Sequence, residues 1–130
     1  MSHLQPRTRT FSAPAEFFDN EHKVNLPGGI TIDATEVASA SDGSKILEHG
    51  AVMAKVTSSG KYAPYDVTAT GTGKEKAAGL LDLSGNPKVD LQYGDETAGL
   101  VIHAFVNESL LPDSITAAIK SDLPMIHFQP

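Results

Sequence analysis

From residue 27 onward the chain is patterned as strands. In GITIDAT, apolar Ile30 and Ile32 are interleaved with Thr31 and Asp33, the period-two alternation of a strand with one face in a core. In ILEHGAVMAKVTSSGKY, Val52, Ala54 and Val56 share one strand face, and Met53, Lys55 and Thr57 share the other. Asp42-Gly43 and Ser59-Gly60 are tight-turn signals between these runs. Residues 61–65 return as a strand that Pro64 limits to a sheet edge or an irregular pairing. AAGLLDL (77–83) and AGLVIHAFV (98–106) are two further apolar runs, and the short, continuous first one predicts a strand buried on both faces. The longer of the two, with weak alternation around His103, reads as the central strand. Between them Val89, Leu91 and Tyr93 alternate between two polar turns.

The period changes near the C-terminus. Leu111, Ile115, Ala118 and Ile119 recur at helical spacing. This predicts one short amphipathic helix over residues 110–120, opened by Pro112 and Asp113 and stopped by Pro124. MIHFQP then reads as a last extended piece. At the other end, Pro6, Pro14 and Pro27 interrupt any regular element. Yet this stretch holds Phe11, Phe17 and Phe18, three of the five phenylalanines. The chain therefore divides into an extended N-terminal arm, residues 1–27, and a single mainly β domain, residues 28–130. Two readings of EFFDNEHKV stand side by side: it packs against its own domain, or the arm orders on a partner surface.

Composition narrows the function classes. A chain of 130 residues is of one-domain size and buries about two-thirds of its unfolded surface, enough for a core without staples. Cysteine is absent, which removes disulfides, thiolate metal sites and a thiol nucleophile and fits synthesis in a reducing cytoplasm. The N-terminus has no apolar signal core, and no window approaches the ~18 apolar residues of a membrane span. A net charge of -6 argues against sequence-independent nucleic-acid binding, which needs a basic surface. Aromatic residues make up 6% of the chain and tryptophan is absent, sparse for a stacking platform.

The motifs that bear on chemistry fail on spacing. Gly73-Lys74 imitates a phosphate-binding loop, but the first glycine of that motif falls on Thr68 and its hydroxyl position on Glu75, a carboxylate that repels phosphate. His3, His22, His49, His103 and His127 show no metal-ligand spacing, so no metal or other cofactor is expected. Serine, histidine and aspartate occur without a nucleophile elbow. Nothing in the pattern asks for catalysis.

Taken in order, ITIDATEV, DGSKILEHGAVMAKVTSSGKYAPYD, GTGKEKAAGLL and GLVIHAFV resemble the bacteriophage lambda head decoration protein family. The resemblance spans residues 29–106. It lies in a Gly-led apolar run (50–56), a Ser-Gly-Lys-Tyr phrase (59–66), a glycine-bearing polar loop (71–76) and an Ala-x-Gly apolar strand (77–81). It implies a small β-tulip-like or β-barrel fold and a structural, non-enzymatic role. Such proteins are made in the host cytoplasm and sit on the outer capsid surface of the virion. As homotrimers at local three-fold positions they clamp the major capsid protein after head expansion and resist DNA pressure. The N-terminal segment of such proteins orders against the capsid, which gives Arg7, Arg9, Phe11, Phe17 and Phe18 the part of a capsid-binding arm. Tyr62 and Tyr65 are then trimer contacts, or they cover the core edge within one protomer. The helix over 110–120 and the final MIHFQP lie outside the resemblance. The alternative is a small β-barrel ligand-binding module with a hidden pocket; a phage tail-tube or fibre-base domain shares the same profile.

Overall fold

The computed structural model describes residues 17–130. Along them run β1 (Phe18–Asn25), β2 (Ile30–Ile32), β3 (Ile46–Glu48), β4 (Val52–Lys55), β5 (Tyr62–Pro64), β6 (Ala77–Asp82), β7 (Lys88–Asp90), β8 (Glu96–Asn107), α1 (Ala117–Asp122) and β9 (Ile126–Gln129). The protein is mainly β, with one short C-terminal helix.

The twelve-residue β8 is the spine. Its first half pairs with β2 and with β6, and these close through β5 and β4 into a five-stranded barrel in the order β8-β2-β5-β4-β6. Its second half leaves the barrel and carries β1 antiparallel on one edge and β9 parallel on the other; Ala104 faces Lys23 across one edge and Ile126 across the other. Closure removes the free edges that an open sheet would expose. β3 and β7 form a separate antiparallel ribbon that contributes Leu47 to the barrel core.

Alternation along the strands builds two cores on opposite sides of one wall. Leu81 of β6, Met53 of β4 and Leu100 of β8 point into the barrel with Ile30, Ile32, Tyr62 and Leu91. Their neighbours Leu80, Val52 and Val101 point outward into a second cluster, with Phe17, Ala104, Val106, Leu111, Ile119, Leu123 and Ile126. The shorter apolar run, on β6, is therefore buried on both faces, while β8 is so only around Leu100 and Val101. The barrel interior is filled by side chains, with Ile32, Met53, Leu81 and Leu91 fully buried.

A β-bulge explains the weak alternation around His103. Val24 faces His103 while the next residue, Asn25, faces Val101, so Ile102 is the extra residue on β8. The bulge shifts the side-chain parity. Ala104 and Val106 join Val101 in the outer core, while His103 and Phe105 turn to the solvent face. Pro64 sits where the strand reading allowed it: β5 meets β2 through one pair, Ile32 with Tyr62, and Pro64 lies beyond it opposite Met53.

Three features differ from the pattern. Residues 18–25 form a strand, β1, with irregular register against β8, where the prolines predicted no regular element; of the two readings of EFFDNEHKV, packing on its own domain holds from Phe17 onward. The C-terminal helix starts later than the spacing predicts, because Asp113 is engaged elsewhere: its Oδ2 accepts the Val52 N–H at 2.9 Å. Thr116 caps the helix instead, its Oγ1 accepting from Ile119 N–H, and Leu111 enters the outer core from an irregular segment. Tyr93 does not continue the alternation of Val89 and Leu91; it stands in the turn after β7, 93% exposed.

Turns are set by one recurring device. Asp33, Asp42, Asp66 and Asn107 each accept from the backbone N–H two residues on and from that residue's hydroxyl, on Thr35, Ser44, Thr68 and Ser109. The side chain replaces a backbone acceptor and fixes the corner.

Candidate functional site

Strand β1 ties the N-terminal segment to the fold, and its anchor is Phe17. The ring is 1% exposed, lies 4.4 Å from Phe18 and 4.7 Å from His49 between ring centres, and sits over Gly50. A Cβ at Gly50 would come within 2.9 Å of it, and Gly50 has φ +92°, so only glycine leaves room for the ring without strain. The Phe17 carbonyl accepts the Asn107 N–H at 2.7 Å. Phe18 is half-buried beside the outer core, with the Lys23 ammonium 4.9 Å from its ring centre. Arg7, Arg9, Phe11 and His3 lie outside the described residues.

Behind β1 lies a charge network around a buried carboxylate. Asp82 of β6 is 3% exposed and accepts from Lys23 Nζ at 2.6 Å, Asn25 Nδ2 at 2.9 Å and the Ser84 N–H at 2.9 Å. β1 and β6 are not neighbours; they flank β8, both facing Val101. Their side chains meet because Gly99 of β8 has none: a Cβ there would lie 2.9 Å from Asn25 Nδ2 and 3.3 Å from Asp82 Cβ. Burial alone pushes the Asp82 carboxyl up, but the hydrogen bonds from Lys23, Asn25 and Ser84 and the Lys23 charge outweigh it and hold the pKa below the ordinary value.

On the opposite face of the β1–β8–β9 sheet stand three histidines. His22 Nε2 and His103 Nδ1 are 2.7 Å apart, and Phe105 packs between His22 and His127 with ring centres 6.1 and 5.5 Å away. The sequence spaces these residues without a motif; strand pairing and the Ile102 bulge bring them together. His49 is instead a buried structural histidine, its Nδ1 accepting the Leu83 N–H at 3.1 Å. Among the described residues no group of three or more His, Cys, Asp or Glu is arranged to hold a metal ion, and no helix is long and apolar enough to cross a membrane.

The loop that imitates a phosphate site is filled by its own acid. Gly73 N–H donates to Glu75 Oε1 at 2.8 Å, which holds the Glu75 pKa below its usual value, and Lys74 Nζ pairs with Glu36 at 2.7 Å. The amide and the cation that would meet a phosphate are thus already taken by carboxylates.

The two tyrosines part company. Tyr62 is 8% exposed in the barrel core. Tyr65 is half-buried and, with Val52, Pro64, Val67 and Ile119, borders a groove of about 280 Å³. Val67 beside it is 67% exposed. The acid in this groove, Asp113, is the one that already accepts from Val52.

No curated protein and no solved structure matches the chain. The family model described as bacteriophage lambda head decoration protein D matches residues 21–123, from within β1 through the end of α1. That match takes in most of the chain, and the protein belongs to the bacteriophage lambda head decoration protein D family, structural proteins of the phage capsid.

Proposed function

We propose that the protein decorates the outer surface of expanded phage heads as homotrimers at local three-fold positions. There it grips the major capsid protein and stabilises the shell against the pressure of packaged DNA. The observation that carries this reading is the family match over residues 21–123. The filled barrel supports it, since the interior offers packing rather than a ligand cavity. In this reading the protein is made in the host cytoplasm and joins the virion after the head expands.

The residues divide the work. Arg7, Arg9 and Phe11 contact the capsid, and Phe17 and Phe18 hold the segment to the domain, so that load on the segment is carried by the outer core. Of the two tyrosines, Tyr65, next to exposed Val67, serves the trimer contact, because Tyr62 has little surface to offer.

The test is co-sedimentation of the purified chain with expanded and unexpanded empty heads of its source virus, beside a form that starts at residue 17. Cutting there spares the Phe17 anchor and β1. The full chain is expected to pellet with expanded heads only, and the shortened form to bind at least tenfold more weakly. Absence of binding to expanded heads at micromolar protein overturns the reading; undiminished binding of the shortened form overturns the role of the arm.

A further inference from the structure

We propose that His22 and His103 form a two-histidine chelate for a borderline divalent cation such as Zn²⁺, Ni²⁺ or Cu²⁺ on the outer face of the β1–β8 pair. This inference stands on side-chain geometry and is independent of the capsid-binding reading.

The two ring nitrogens are 2.7 Å apart, at the meeting of rings inclined by 81°. A contact that short between two imidazoles requires one nitrogen to donate and the other to present its lone pair. Both nitrogens are therefore directed at the same small volume. A cation bound at about 2.0–2.1 Å to each, in tetrahedral geometry, needs the nitrogens only a little further apart than they stand. Imidazole is the ligand type that suits zinc, copper and nickel.

The balance of protons is simple. In the neutral pair one bridging N–H lies between the rings. When the cation takes its place, the donor ring loses that proton to solvent and regains one on its other nitrogen, so both rings bind as neutral imidazoles. The bond lost is one hydrogen bond, and two metal–nitrogen bonds form. Acid opposes binding, since a protonated ring has no lone pair on either nitrogen.

The site is accessible, and strand pairing holds the residues beside both rings. His22 is exposed and His103 half-buried. His103 is paired with Val24, and His22 stands at the end of an irregular stretch of β1, directly before Lys23, which is paired with Ala104. The bulge at Ile102 is what turns His103 onto this face. His127 stands on the far side of Phe105 from His22, and no third protein ligand joins the pair among the described residues. Water completes the coordination, so the site is an open, exchangeable one rather than a closed structural centre. Its mechanical effect is to clip β1, the strand that continues from the Phe17 anchor, to the spine β8.

The experiment uses the untagged full chain, because an affinity tag would supply histidines of its own. Titration with Ni²⁺ and with Zn²⁺ at pH 7.5 is followed by calorimetry and by the imidazole ring resonances in NMR. One cation per chain is expected, with the ring signals of His22 and His103 shifted or broadened and those of His49 and His127 unmoved. H22Q and H103Q each lower the affinity at least tenfold, and H127Q leaves it unchanged. The proposal is overturned if neither cation binds at millimolar concentration. It is equally overturned if H22Q and H103Q both bind as wild type, or if the responding rings are others. The wild-type NMR readout keeps the test intact should either variant fold poorly.

Discussion

At the scale of single residues, the absence of a side chain at Gly99 matters as much as any side chain present. It lets Asp82 of β6 reach across the spine to Lys23 and Asn25 of β1. Gly99→Ala would place a methyl group 2.9 Å from Asn25 Nδ2 and 3.3 Å from the Asp82 backbone oxygen. Crowding of this kind costs about 1–3 kcal/mol, and urea denaturation should report a loss in that range; a change within error would mean the strands shift at no cost. The same network gives an acid dependence. The Asp82 pKa is lowered in the folded chain, so its stabilisation is complete above the unfolded carboxylate value of about 3.9 and is lost as pH falls through the lower, folded value. Stability should therefore decline below about pH 4. Asp82→Asn should be less stable at pH 7 and show a shallower decline in acid. Equal slopes for the two proteins would assign the acid sensitivity to the other lowered carboxylates, such as Glu75 and Asp95.

At the scale of elements, the strand β1 is held at its start by one ring. Phe17→Ala would empty the seat over Gly50 and His49, and truncations of this type cost about 3–5 kcal/mol in well-packed cores. Hydrogen exchange should show the amides of β1 and the Asn107 N–H, which donates to the Phe17 carbonyl, exchanging faster than those of β4 and β6. Uniform acceleration across the barrel would show instead that β1 and the barrel open as one unit. The strands themselves were legible because period-two patterning is local: Ile30 and Ile32, or Met53 against Val52, declare their faces within a few residues. So was the double burial of β6, whose apolar run has no polar side to turn outward. The bulge at Ile102 was not legible, since nothing in LVIHAF distinguishes an extra residue from a regular one. What fixes it is the pairing of Asn25 and Val24 with residues far along the chain. The histidine face was hidden for the same reason. The helix was misplaced at its start because Asp113 has cap chemistry in sequence, and only the fold shows Val52 N–H taking it. The anchoring of Phe17 was open to sequence as one of two readings, and the deciding partner, Gly50, lies more than thirty residues away.

At the scale of the whole molecule, two cores closed within one chain make the subunit self-sufficient, while the proposed work is done by many subunits on a lattice. These two levels are separable by concentration. A chain that completes its own barrel should unfold with a midpoint that does not depend on its own concentration, because no second copy is needed to bury Phe17, Leu80 or Met53. The shell should behave otherwise. A protein that binds only the expanded lattice stabilises each site by RT ln(1 + [L]/Kd), about 2.7 kcal/mol at a hundredfold excess over Kd, and the three linked contacts of the proposed trimer would raise the effective affinity further. Heating expanded heads with increasing amounts of the protein should raise the temperature of shell disassembly until the sites are filled. The chain's own unfolding midpoint, measured apart, should stay constant. The net charge of -6 adds a condition: neighbouring copies repel at low ionic strength, and screening within about 10 Å at 0.1 M salt should favour occupancy. Saturation should therefore come at lower protein concentration in 0.1 M salt than in 0.01 M. A subunit midpoint that climbs with concentration would show that the fold depends on self-association. A shell insensitive to saturating protein would leave the proposed trimer without mechanical consequence and remove the stabilising role from the proposal.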